Sequence, residues 1–412
     1  MKSKVLIVNP ASSGKMIRPK LQDNHIRCDV YFDSEHDPKG MLDTIHIDNY
    51  DQNVSGFSLD ALKNEHYDAV IAGSELGVEL ADKLASALGL PGNSPSTTGL
   101  RRNKDEMQEA LKQHGLAYIQ TFLVDMDGKG LSELNDMKCS KYIIKPVNSA
   151  GSENVYFCNS RDEVINKISS LPWGKINSTG KRNDQFLVQE FIEGEEYVLD
   201  LIVNGDQLAL VAICKYVKGQ SGDNPFVYNR LELLDPDDPE LAPIRAYAVA
   251  ATRALDIRYG LVHMELMLSP SQGPVMIEAA TRIHGGVAPS LFESCYSPSL
   301  LDALTLLVAE KRVPEQDSKL IKQGRVYFHV NKHAANFSGV DPVSDGKLRR
   351  IASLIDYFVT AKEGQALPAT EDLFTCPCLV WLANDNAFDL ESDIQEVEHI
   401  LNGVFHRELI GA

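Results

Sequence analysis

The sequence predicts a protein of mixed α/β and α+β class. A parallel-sheet domain comes first, a strand-rich central module follows, and an α+β subdomain closes the chain. Three observations carry this: strands alternating with helices over the first hundred residues, two long strand-rich segments after residue 140, and a change to short strands and helices from about Pro314. At 412 residues the chain exceeds what one hydrophobic core usually supports, so two or three domains around a shared cleft are expected.

The first element is Val5-Leu6-Ile7-Val8, a short apolar run that reads as a buried strand. Cys28 to Phe32 and Tyr67 to Ala72 repeat the pattern. After Gly73, Leu76, Leu80, Leu84 and Leu88 recur at helical spacing, and Gly89 with Pro91-Gly92 ends the helix. Ligands of open α/β sheets lie beyond the carboxyl ends of the strands, which makes Ser74 and Glu75 candidates for touching a substrate. A capping serine and a solvated glutamate are the plain alternative.

The Ser-, Thr-, Pro- and Gly-rich stretch Asn93 to Arg102 marks a linker before a helix from Lys104 to His114. The expected division is therefore 1–98, a central module at 99–312 and a C-terminal subdomain at 313–412. Within the module, a small lid covers about 120–190 and a catalytic sheet about 191–312. Lys218 to Pro239, with its Gly-Gln-Ser-Gly-Asp-Asn-Pro run, reads as irregular, either a mobile lid or a long surface loop. Its acidic residues Asp223, Glu232 and Asp235 read as a solvated face, or as one that tolerates a cationic substrate.

Composition excludes several classes of function. A formal charge of −18 argues against a nucleic-acid backbone as partner, because phosphate binding needs a clustered positive surface. No apolar stretch approaches the ~20 residues needed to span a bilayer, and the N-terminus carries no signal-peptide core, so a cytoplasmic location is expected. Seven scattered cysteines suggest buried thiols, and Cys376-Pro-Cys378 lacks the second pair a zinc site needs. Asn9 to Met16 follows a strand and contains Gly14-Lys15. It fails as a phosphate loop because Asn9 stands where the first glycine belongs and Met16 where a serine or threonine should bind magnesium.

Four segments carry chemistry. Tyr142-Ile143-Ile144-Lys145-Pro146 is a strand that delivers one lysine, and the small residues Ser149, Ala150, Gly151 and Ser152 follow as a loop whose N–H groups can close over phosphate oxygens. Phe186 to Asp200 is a strand, a connector turning at Gly194, and a second strand. Backbone around Gln189, Glu190 and Ile192 can read an adenine, and Glu196 can accept bonds from ribose hydroxyls, although an acidic surface hairpin has the same pattern. His263 to Leu268 and Val275 to Arg282 form a hairpin by pattern, with Glu265 and Glu278 among apolar neighbours. Two such carboxylates suit Mg²⁺, or alternatively a buried arginine. Arg282, beside His284-Gly285-Gly286, can hold a carboxylate and stabilise an oxyanion, or simply pair with a glutamate. His263 shares a strand face with Glu265 and is either a substrate contact or a core histidine.

Together these segments resemble the ATP-grasp superfamily over roughly Asn93 to Ala309. The resemblance implies the ATP-grasp fold with a Rossmann-like domain ahead of it. It implies phosphate contacts from Lys104 and Lys145, with the loop residues Ser149, Gly151 and Ser152 over them. Adenine contacts then fall to Gln189, Glu190 and Ile192, a ribose contact to Glu196, and metal ligation to Glu265 and Glu278. The cofactors implied are ATP and Mg²⁺, with Mn²⁺ an acceptable substitute. One departure is Ala280, where many members have an asparagine that also binds metal. Glu278-x-x-x-Arg282 instead resembles the branch containing L-amino acid ligases, which join two amino acids to a dipeptide. That branch implies Arg282 as the catalytic group and amino acids, as small-molecule substrates, near Ser74, Glu75, His263, His284, Gly285 and Gly286. A homodimer is compatible with such a fold. A biotin-carboxylase-like enzyme, another ATP-grasp ligase acting on a substrate that is not an amino acid, and a nucleotide-binding regulator are the competing readings.

Overall fold

The computed structural model describes residues 3–405 except 34–36, 38–39, 41, 222–223, 333, 372 and 374. Strands β1 (Lys4–Val8), β2 (Arg27–Tyr31), β3 (Gln52–Asn53) and β4 (Ala69–Ala72) form a parallel sheet in the order β3-β2-β1-β4. All five residues of β1 are buried, as a strand covered on both faces requires. Helices α1 (Ile17–Asp23), α2 (Leu59–Asn64) and α3 (Val78–Leu88) return the chain. Helix α3 ends at Gly89, whose φ of 69° is the left-handed cap that glycine adopts without steric cost. The predicted helix after the linker is α4 (Lys104–Gln113).

A second sheet, β5 (Thr121–Asp125), β8 (Gln185–Glu190), β6 (Tyr142–Pro146) and β7 (Tyr156–Cys158) in that spatial order, is antiparallel and small. The third is the large one. Strands β13 (Gly273–Ala280), β12 (Tyr259–Ser269), β9 (Glu195–Asn204), β10 (Gln207–Ser221) and β11 (Asn224–Leu234) lie side by side, and strands Gln323–Phe328, Cys378–Asn384 and Leu354–Val359 continue the same eight-stranded sheet. Its two faces bury separate cores. Leu199, Leu201, Val262, Met264 and Leu266 pack under helix Ala242–Ala254, while Val198, Ile202 and Leu261 pack toward helices Ala288–Cys295 and Leu300–Glu310. This odd-even division is the two-residue period of a strand.

The run Lys218 to Pro239 corrects the sequence reading. Its described residues up to Leu234 belong to the strand pair β10 and β11, with Val217 opposite Arg230 and Tyr216 opposite Leu231. Leu231 and Leu233 alternate into the core, and turn residues follow the strand within 235–239. Asp223 lies outside the described residues. Glu232 is no free acidic group, because Arg230 and Arg325 lie 3.8 and 3.5 Å from it. Among the described residues no helix is long and apolar enough to cross a membrane.

Candidate active site

The small sheet and the large one face each other across a cleft of about 620 Å³. Lys104, Lys145, Ser149, Gly151, Ser152, Gln189, Glu190, Ile192, Glu196, Glu265 and Glu278 all line it. These are the residues that sequence reasoning assigned to nucleotide and metal, gathered from positions up to 174 residues apart.

Each is held by local structure. Lys145 is buried on β6. Burial, then the neighbouring Lys104, pushes its pKa down to about 8, because an ammonium without solvent and beside a like charge is disfavoured. Lys104 starts α4, and its Nζ is 2.8 Å from the Glu278 carboxylate and donates to the Ser149 carbonyl at 2.9 Å. One ammonium thus connects a metal-site candidate to the loop expected to cover phosphates.

That loop takes the left-handed conformation at Gly151 (φ 68°) and Ser152 (φ 60°). A partner segment that sequence reasoning passed over braces it. Asn177 and Thr179 donate to the Asn148 carbonyl at 3.0 and 2.8 Å, and the Glu153 carboxylate accepts from Ser149 Oγ at 2.7 Å and from the Ser178 amide at 2.6 Å. The buried Asn-Ser-Thr run in an otherwise irregular stretch was the available signal. Lys181 of this segment also reaches Glu79 of α3 at 3.2 Å, which links it to the parallel-sheet region.

Gln189 donates to Thr121 Oγ1 at 2.8 Å, and the Glu190 carboxylate accepts the Gln120 amide at 2.9 Å. Glu196, on β9, pairs with Lys218 and accepts from Tyr228 at 3.3 Å. Burial raises its pKa, against the pull of Lys218. Lys218 and Tyr228 are opposite one another on β10 and β11, with the ammonium 4.8 Å from the ring centre. Neither was anticipated, since the loop reading of this hairpin hid them.

Glu265 and Glu278 are direct cross-strand partners on β12 and β13. The donor set is therefore two carboxylates opening into a cleft that also holds two lysines. Hard oxygen ligands on one side, with room for nucleotide phosphates on the other, fit Mg²⁺. Burial works against ionisation of Glu265, but the His263 hydrogen bond and the nearby Arg282 outweigh it and hold the pKa at about 2. These neighbours favour the charged carboxylate.

The residues expected at the substrate divide into two groups outside the cleft lining. Glu75 bonds to both Arg102 and Arg282, the latter with Nε donating at 2.8 Å. Burial opposes its charge, yet the two guanidinium groups hold its pKa at about 2. Arg282 Nη1 also donates to the Ile283 carbonyl at 2.9 Å. Ser74 is spent on the fold, donating to the Asn9 carbonyl at 2.6 Å. Gly285 and Gly286 form an exposed turn, left-handed at Gly286 (φ 64°). His263 and His284 are instead buried with Asp200, a residue that no sequence motif marked.

A small antiparallel sheet facing a larger one across a cleft is the arrangement of the ATP-grasp fold. Residues 139–290 match the ATP-grasp domain, and the chain as a whole has the ATP-grasp fold and is similar to amino acid ligases. It is 28% identical over 353 residues to dapdiamide A synthase of Enterobacter agglomerans, covering 83% of this chain and 81% of that one. With the L-arginine-specific L-amino acid ligase of Bacillus subtilis it shares 22% identity over 360 residues, covering 84% and 81%. The solved L-amino acid ligase of Bacillus licheniformis has the same fold over 97% of both chains, with a TM-score of 0.71 and 18% identity. A carboxyaminoimidazole ribonucleotide synthase from Aspergillus clavatus, complexed with ATP, superposes with a TM-score of 0.72 at 15% identity over 98% and 99%.

Proposed function

We propose that this protein joins two L-amino acids into a dipeptide, with ADP and phosphate as the other products. The observation that carries the reading is the Glu75–Arg102–Arg282 cluster, which stands where the first domain meets the strand of Glu278. Free amino acids are zwitterions, so a site for them needs cations for the carboxylate and an anion for the ammonium. Both are present there, and the likeness to amino acid ligases supports the same reading.

A carboxylate resists attack by an amine because its oxygen leaves poorly. In the proposed course, a carboxylate oxygen of the first amino acid attacks the γ-phosphorus of ATP, the bond to the bridging oxygen breaks and ADP departs. The neutral amine of the second amino acid then attacks the acyl carbon, phosphate leaves with the bonding electrons, and the nitrogen loses a proton. Lys104 and Lys145 offset phosphate charge. Glu265 and Glu278 would hold Mg²⁺, which supplies charge neutralisation at the transferred phosphoryl group. Arg282 stabilises the tetrahedral oxyanion, a contribution typically worth about 3 kcal/mol. Closure of the flap over Gly151 and Ser152 keeps water from the acyl phosphate.

The test is incubation with ATP, Mg²⁺ and the standard amino acids, with phosphate release followed and products identified by mass spectrometry, and a Glu278→Ala control. A dipeptide mass that the control lacks supports the proposal and names the substrates. Phosphate and ADP without any dipeptide would transfer the reading to a carboxylate or amine outside the amino acids, as the likeness to the carboxyaminoimidazole enzyme allows.

A further inference from the structure

Asp200, His263 and His284 form a buried cluster behind the cleft that the chemistry above does not use. The three side chains come from three places in the fold. Asp200 and His263 are cross-strand partners on β9 and β12, and His284 follows β13. All are at most 4% exposed. An ionised carboxylate there is costly unless its lone pairs are met. Both oxygens are engaged: His263 Nδ1 lies 3.2 Å from Oδ1 and His284 Nδ1 2.7 Å from Oδ2. The rings contact edge to face with centres 4.4 Å apart. Ser13 Oγ donates to the His284 carbonyl at 2.5 Å, which fixes that backbone from the first domain.

The far side of His263 leads to the cleft. Its Nε2 lies 3.4 Å from Glu265 Oε1, on the strand face that the two residues share. The cross-strand partner of His263 on β13 is Ala280. The contacts therefore form one chain, His284 to Asp200 to His263 to Glu265, running from the core to the carboxylate beside the phosphate lysines. The close Nδ1 to carboxylate distances are those of hydrogen bonds, and they occupy both oxygens of Asp200, so the cluster reads as a bonded relay in its own right.

We propose that His263 is a positioning residue for Glu265: held by Asp200 and His284, its imidazole fixes the rotamer in which the glutamate takes a divalent cation. This rests on the reading of Glu265 as a metal ligand. Groups that orient a ligand from behind typically change metal affinity by about 10- to 100-fold when removed, which gives the expected size of the effect.

The experiment uses the full chain, with Mn²⁺ as the probe in the presence of ADP and binding read by electron paramagnetic resonance. His263→Ala and Asp200→Asn are each expected to raise the Mn²⁺ dissociation constant about tenfold or more, while ADP affinity without metal stays unchanged. A purely structural role would lower the melting temperature and weaken ADP and Mn²⁺ together, which would overturn the proposal. Should His263→Ala not fold, His263→Gln, similar in volume, supplies the same reading. Glu265→Gln separates the two levels. If it weakens Mn²⁺ binding and the His263 and Asp200 variants do not, the positioning role is wrong. If Glu265→Gln itself leaves Mn²⁺ binding intact, the metal reading fails and the proposal falls with it.

Discussion

Arg282 Nε donates to the Glu75 carboxylate at 2.8 Å, a bond that closes 207 residues of chain and joins the parallel sheet to the end of β13. Arg102 binds the same carboxylate. A single glutamate therefore sets where both guanidinium groups stand, and its replacement has consequences in catalysis and in stability.

For catalysis, Glu75→Gln is expected to lower kcat/KM for the proposed amino acid substrates by about 100-fold, on the order of 3 kcal/mol of transition-state stabilisation. The KM for ATP should change little, because Glu75 does not line the cleft proposed to hold the nucleotide. Steady-state kinetics with each substrate varied in turn checks this. An equal loss on ATP would remove the assignment.

For stability, the sign follows from the lowered pKa of Glu75, about 2 against an ordinary 4.5. A depressed carboxyl contributes fully above about pH 4.5 and loses that contribution as pH falls toward about 2. The denaturant midpoint of the wild type should thus exceed that of Glu75→Gln at pH 7, with the gap narrowing as pH falls below about 4. Paired chemical denaturation curves across this range measure it.

Lys145 supplies a second pH dependence. Burial and Lys104 set its pKa at about 8, so the free protein carries the charge below that value and loses it above. Phosphate binding favours the charged form. ATP affinity should therefore weaken by up to about tenfold per unit as pH rises past 8, with proton uptake on binding. Calorimetry in buffers of different ionisation enthalpy reads both, and Lys145→Arg should flatten the profile.

The brace behind the flap predicts a change in coupling rather than in binding. Removing the Thr179 and Asn177 bonds to Asn148 with Thr179→Val and Asn177→Ala should loosen the flap and admit water to the acyl phosphate. Phosphate released per amide bond formed is expected to rise several-fold above one. A ratio that stays at one would show that the brace has no part in closure.

The gathering of the candidate residues in one cleft was legible because they lie on regular elements with a period. Lys145 on a strand followed by small residues, and Glu265 and Glu278 on two strands of a hairpin, are local patterns, and they converge on one cleft. Lys218 and Tyr228 were hidden because the glycine-rich hairpin tip made two long strands look like a loop. Asp200 was hidden because an isolated acidic residue in an apolar strand carries no motif. Its partners lie 63 and 84 residues away.

What the sequence determined by itself was the succession of strands and helices and the residue types able to bind phosphate and metal, since propensity, periodicity and loop composition act over a few residues. Tertiary structure alone decided which charges meet: Glu75 with Arg102 and Arg282, Lys104 with both Glu278 and the Ser149 loop, and two histidines with Asp200. The physical reason is that a buried charge must find its partner wherever sheet register and packing bring one, and those distances through the chain leave no local trace.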